Sequence, residues 1–200
     1  MAPRLVLIRH GQTEWSMTSR HTGRTDIPLT DVGREEAELA AASLTEWRFD
    51  KVFTSSLSRA RETATIAGFG HATIDNDLLE WDYGEHEGRR TVDILLEHPD
   101  FSKWSERPPA GESVEEVGER VDRVIQRFKS NEASGDVALF AHGHTLAILI
   151  ARWLELPASE GRRFPLSTAT LTLLDHYREN PVLRFFNHRC GAPLAHPPTG

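Results

Sequence analysis

A single cysteine, Cys190, among 200 residues means that the chain can close no disulfide within itself, and a reducing compartment is the natural reading. Long apolar runs are also missing. The most apolar segment, Leu146 to Ala151, falls far short of the roughly 20 residues that cross a bilayer. The run from Leu5 to Ile8, between Arg4 and Arg9, is too brief for the core of a secretion signal. A cytoplasmic protein that does not engage a membrane is expected. Positive charge is in deficit: 23 Lys and Arg against 30 Asp and Glu leave a formal charge of -7. General binding of nucleic acid or anionic lipid needs a positive face, so neither is expected, and any cationic site must be local.

What remains is enough for one buried core, with 38% hydrophobic residues. Residues 1–190 are expected to form a single domain, and the Gly/Pro-rich residues 191–200 a disordered tail. Leu5 to Ile8, Lys51 to Ser55 and Asp136 to Ala141 read as buried strands. Thr30 caps a helix with Ala37, Ala40, Ala41 and Leu44 on one face, and a second helix begins near Ser58. Val114, Val117, Val121, Val124, Ile125 and Phe128 form the stripe of a third, and Leu146 to Leu154 is a helix apolar nearly all round. Thr170 to Leu174 and Val182 to Phe186 read as further strands, whereas Asp77 to Pro109 is irregular apart from a helix over Thr91 to His98. That irregular stretch is the candidate lid or substrate loop.

Alternating strands and helices point to a layered α/β fold with a largely parallel sheet, whose ligands bind beyond the carboxyl ends of the strands. Such a sheet gathers Arg9 and His10, the turn from Ser55 to Arg59, and His142 along one edge. Two imidazoles, two guanidiniums and the N–H groups of helix starts suit a dianionic phosphoryl group. A neutral imidazole is a competent nucleophile toward phosphorus, and nearby arginines favour that neutral form. The leaving alkoxide needs a proton, and Glu80, whose apolar sequence neighbours favour the protonated acid, is the chosen donor; Asp82, Glu85 and Glu87 compete for the role.

The segments LIRHGQTEW, SSLSRARETA, LLEWDYGEHEG and FAHGH resemble, in that order, four motifs of the histidine phosphatase superfamily, which includes the cofactor-dependent phosphoglycerate mutases. The resemblance runs from Arg4 to about Leu154 and implies a phosphoglycerate mutase-like three-layer sandwich with a mostly parallel central sheet. It implies that His10 is the nucleophile, that Arg9, Arg59 and His142 hold the phosphoryl group, and that Glu80 is the proton donor and later the base for water. It also places Ser16, Thr22, Gly23 and Tyr83 near the substrate; Ser16 stands where an asparagine is common in the mutases. His144 caps the following helix, lines the pocket or supports His142.

Neither a cofactor nor a metal is expected, because His142-x-His144 lacks the partners of a zinc site. The five tryptophans read as core or pocket walls. Mutases of this superfamily carry a longer insertion with a lysine that grips the far end of the substrate; here Thr91 falls at that position and the segment is short. The expected activity is therefore hydrolysis of small phosphomonoesters, of the sugar-phosphate or broad-specificity acid phosphatase kind. Arg89 and Arg90 are candidates to grip a second anionic group, with Arg90 assigned to substrate binding. Phosphoglycerate mutase activity and a regulatory module that binds phosphorylated ligands without turnover are the alternatives. The expected partner is a small phosphorylated metabolite, and the expected state a monomer or homodimer.

Overall fold

The first apolar run alternates its faces. A computed structural model describes residues 3–129 and 135–192. In it β1 (Leu5–Arg9) sends Leu5 and Leu7 to one side of the sheet and Val6 and Ile8 to the other. Strand β4 (Asp136–Ala141) repeats the pattern, with Val137, Leu139 and Ala141 on the first side and Ala138 and Phe140 on the second. Apart from Arg9 at the end of β1 and Asp136 at the start of β4, both strands are apolar because both faces of the sheet are covered. On the first side lie α5 (Val114–Lys129), through its valine stripe, and α6 (Gly143–Trp153). On the second lie α2 (Asp31–Leu44) and α3 (Ser58–Ala64). The result is the three-layer α/β sandwich expected from the sequence.

The remaining strands are β2 (Phe49–Thr54), β3 (Thr73–Ile74), β5 (Thr170–Tyr177) and β6 (Asn180–Arg189), and the sheet runs β3-β2-β4-β1-β5-β6. β3, β2, β4 and β1 are parallel, whereas β5 and β6 form an antiparallel hairpin on the β1 side. Arg9 is in register with Ala141, and Thr54 with Phe140. Beyond the strands, the N–H of His10 donates to Ala141 O and that of Ser55 to Phe140 O, each at 3.0 Å. Three strand ends thus bring Arg9 and His10, the Ser55 turn and His142 together.

Several short elements were not foreseen, among them one helix and one strand besides three 3-10 turns. Within the polar stretch after His10, α1 (Glu14–Met17) forms because the hydroxyl of Thr13 accepts from Ser16 N and that of Ser16 accepts from Thr13 N, a reciprocal cap. The strand is β3. The last helix also starts earlier than its apolar pattern, at Gly143 instead of Leu146, because its first turn is polar for a reason that lies in the site. In the irregular segment the expected helix is α4 (Thr91–Glu97), with His98 as its C-cap. Gly191 and Ala192 follow β6 in a turn, and the rest of the expected tail lies outside the described residues.

Candidate active site

Beyond the ends of β1 and β4 lies a cavity of about 380 Å³. Arg9, His10, Ser16, Thr22, Glu80, Tyr83 and His144 line it. The Nδ1–H of His10 donates to the carbonyl of Gly11 at 2.7 Å, which leaves Nε2 as the unprotonated nitrogen. Nε2 makes no hydrogen bond with any described residue. Burial, then the charges of Arg59 and Arg9, push the His10 imidazole well below its usual range, so the ring is neutral. The turn itself is pressed against α2: a Cβ at Gly11 would lie 2.2 Å from the carbonyl oxygen of Gly33, a closeness only glycine permits.

Arg9 donates from one terminal nitrogen to Leu166 O, and its buried Nε has no acceptor among the described residues. Arg59 is fully buried under the site. Its Nε donates to His142 Nδ1 at 3.2 Å, and its terminal nitrogens donate to the carbonyls of Gly23 at 2.8 Å and Thr25 at 3.1 Å. His142 is fully buried, packs 5.1 Å from the His10 ring centroid, and turns its other nitrogen to Ser55 Oγ at 2.8 Å. Because Nδ1 accepts from Arg59, Nε2 carries the proton and donates to Ser55. Both nitrogens of His142 are therefore engaged with protein.

Gly23 supports Arg59 from beyond the cavity lining. A Cβ there would meet Trp81 O at 2.5 Å, so the loop can approach Trp81 only as glycine. Glu87 ties down the same loop by accepting from the N–H groups of Arg24 at 2.6 Å and Thr25 at 2.8 Å. Of the acidic competitors in the segment, Asp82 accepts from Gly84 N at 2.9 Å, and neither it, Glu85 nor Glu87 lines the cavity. Glu80 does.

The setting of Glu80 differs from the apolar one expected. Oε1 accepts from Trp81 N and Thr145 N at 2.9 Å and from Thr145 Oγ1 at 3.0 Å; Oε2 accepts from His144 N at 3.1 Å. The carboxylate satisfies N–H groups in the first turn of α6, so Gly143, His144 and Thr145 are helical although their side chains are not apolar. His144 therefore both starts the helix and lines the cavity. Its Nδ1 shares a hydrogen bond with the hydroxyl of Tyr83 at 2.6 Å, while burial, then Glu80, hold that phenol well above its usual pKa. Arg120 of α5 braces the segment through the carbonyls of Asp77 at 2.8 Å and Leu79 at 3.0 Å.

Arg90 and Arg89 lie outside the cavity lining, ion-paired with Asp93 at 2.7 Å and Glu97 at 2.6 Å. Trp104, one of the tryptophans read as core or pocket walls, lines the cavity, and residues given no role from the sequence join it: Lys103 from the irregular segment, and Arg162, Phe164, Pro165 and Leu166 from the stretch after α6. Thr91 lines the cavity too. Thr145, at the third helical position beside the HGH sequence, was not singled out either, and the 162–166 stretch carried no signal.

The chain matches the family model of the histidine phosphatase superfamily (branch 1) over residues 5–189. It is 42% identical over 170 residues to an acid phosphatase of Mycobacterium tuberculosis, covering 84% of each protein. A sedoheptulose 1,7-bisphosphatase of Saccharomyces cerevisiae is 31% identical over 190 residues, covering 78% of this chain and 69% of the yeast protein. The solved structure of an open reading frame product of Mycobacterium tuberculosis matches with a TM-score of 0.90 and 38% identity, over 94% of this chain and 99% of that one. The chain belongs to the histidine phosphatase superfamily, branch 1, and is an enzyme of that superfamily.

Proposed function

We propose that the chain is a metal-independent phosphatase that hydrolyses small phosphomonoesters through a phosphohistidine on His10. The observation that carries this reading is the tautomer of His10: with Nδ1–H held by Gly11 O, a bare Nε2 stands at the cavity near the half-buried guanidinium of Arg9 and the fully buried one of Arg59. Nε2 attacks phosphorus as the P–O bond to the leaving group breaks, and Glu80, having taken a proton from solvent, delivers it to the departing alkoxide. Arg9, whose Nε–H has no acceptor among the described residues, stabilises the charge that builds on the equatorial oxygens, and Arg59 supports it from below. Water then attacks the phosphohistidine, Glu80 recovers the proton, and phosphate leaves with His10 restored.

The names of the mycobacterial and yeast relatives support hydrolysis, and the cavity volume suits a metabolite of a few carbons. Lysine is absent at Thr91, and Arg89 and Arg90 are engaged outside the cavity, which favours hydrolysis over phosphoglycerate mutase activity. The test is phosphate release from 4-nitrophenyl phosphate and a sugar phosphate panel with chelator present and no cofactor added. The wild type should release phosphate and His10→Ala should not. Interconversion of phosphoglycerates without net release would instead establish the mutase.

A further inference from the structure

One wall of the cavity carries a cation that forms no ion pair among the described residues. Lys103 lines the cavity, and among the described residues its ammonium makes no hydrogen bond and no ion pair. It rests against two aromatic faces, 5.8 Å from the ring centroid of Tyr83 and 5.9 Å from that of Trp104. Such faces hold a cation in place and leave its three N–H donors free. The other basic groups nearby are engaged: Arg20 donates to Gly88 O at 2.6 Å, and Arg162 pairs with Glu160 at 2.7 Å. Glu80 is the one carboxylate among the residues lining the cavity, and its two oxygens already accept from Trp81, His144 and Thr145. Burial pushes the Lys103 ammonium down to about 8, outweighing the opposing pull of the Glu80 charge, which agrees with a cation that has lost water and gained no hydrogen-bonded partner among the described residues.

The phosphoryl group to be transferred has its own donors at the end of β1, whereas Lys103 stands on the wall built by Tyr83 and Trp104. We propose that Lys103 binds a second anionic group of the substrate, a carboxylate or another phosphate, so that phosphomonoesters bearing a further negative charge are preferred. The proposal rests on the phosphatase reading of the site and names its substrate class. It gives to Lys103 the role for which the sequence offers Arg89 and Arg90 as candidates, both of which lie outside the cavity lining.

The test compares matched pairs differing by one anionic group: glycerol 3-phosphate with 3-phosphoglycerate, and fructose 6-phosphate with fructose 1,6-bisphosphate. The wild type should favour the more anionic member of a pair. Lys103→Met should raise KM for that member by about tenfold or more, the worth of a charge-assisted hydrogen bond. Its kcat, and both constants for the other member, should change by less than about twofold. Lys103→Arg should retain the preference. Equal turnover of both members by the wild type, or an equal loss on both in Lys103→Met, overturns the proposal while leaving the hydrolytic reading intact. If the wild type hydrolyses neither member, the hydrolytic reading fails. Calorimetric binding of each pair to the wild type and to Lys103→Met then decides: tighter binding of the more anionic member, lost in the variant, supports Lys103, and equal binding refutes it.

Discussion

The Nε–H of Arg59 donates to Nδ1 of His142 at 3.2 Å, and this contact, not a free imidazole edge, is what His142 offers the site. His142 orients Arg59 and is itself held by Ser55. Replacing His142 by Ala should cost about a hundredfold in kcat, the scale for losing an oriented electrostatic group. Arg59→Lys should be no better, since one ammonium cannot bridge the carbonyls of Gly23 and Thr25 and also reach His142. Phosphate-release kinetics on both variants check this.

The acid side of the pH profile should lie well below the usual histidine range. Burial, Arg59 and Arg9 all disfavour protonated His10, so the nucleophile stays competent in mildly acidic solution. Exchanging Arg59 for Met removes one of those charges, and the acid limb of kcat/KM should move up toward neutrality. An unmoved limb would assign it to another group.

Stability should decline on the same side. His10 and His142 are buried with depressed pKa values, so below about 6.5 the unfolded chain binds protons that the folded one refuses. Their contribution is present above that pH and is lost as pH falls from the unfolded value toward the folded one, each at about 1.4 kcal/mol per pH unit. Urea midpoints at several pH values should fall on acidification, and less so in His10→Ala.

Glu80→Gln keeps the size of the side chain and removes its proton. Turnover should drop by about 10² to 10⁴. With 4-nitrophenyl phosphate, whose leaving group needs no proton, phosphorylation of His10 should survive better than hydrolysis of the phosphoenzyme. A burst of nitrophenolate followed by slow release is the expected trace.

Gly23→Ala should act at a distance. The added Cβ meets Trp81 O at 2.5 Å, so the loop must shift and take its carbonyl from Arg59. A loss of about 1–3 kcal/mol in stability is expected, together with impaired catalysis. Chemical denaturation measures the first.

The layered sheet, the strand ends and the convergence of Arg9, His10, Arg59 and His142 were legible because each rests on a local pattern: an apolar run that stops at a polar turn, read against the rule for parallel sheets. The start of α6 was not, because its first turn is stabilised by a carboxylate 64 residues upstream, which no helical periodicity records. The same contact replaced the apolar surroundings expected for Glu80. Arg90 looked available for substrate, yet Asp93 three residues on engages it, a pairing that helical spacing permits. Lys103, one of the few basic residues of its segment, drew no role because nothing local says that the segment folds back against Tyr83.

The most direct test of the account is to trap the covalent intermediate. The protein is mixed with substrate in the presence of chelator, denatured at alkaline pH, where a phosphohistidine survives, and its phosphorylated site is mapped by mass spectrometry. The account predicts one phosphoryl group on His10, acid-labile, absent from His10→Ala and enriched in Glu80→Gln. Phosphate on any other residue, or turnover that persists in His10→Ala, would contradict it.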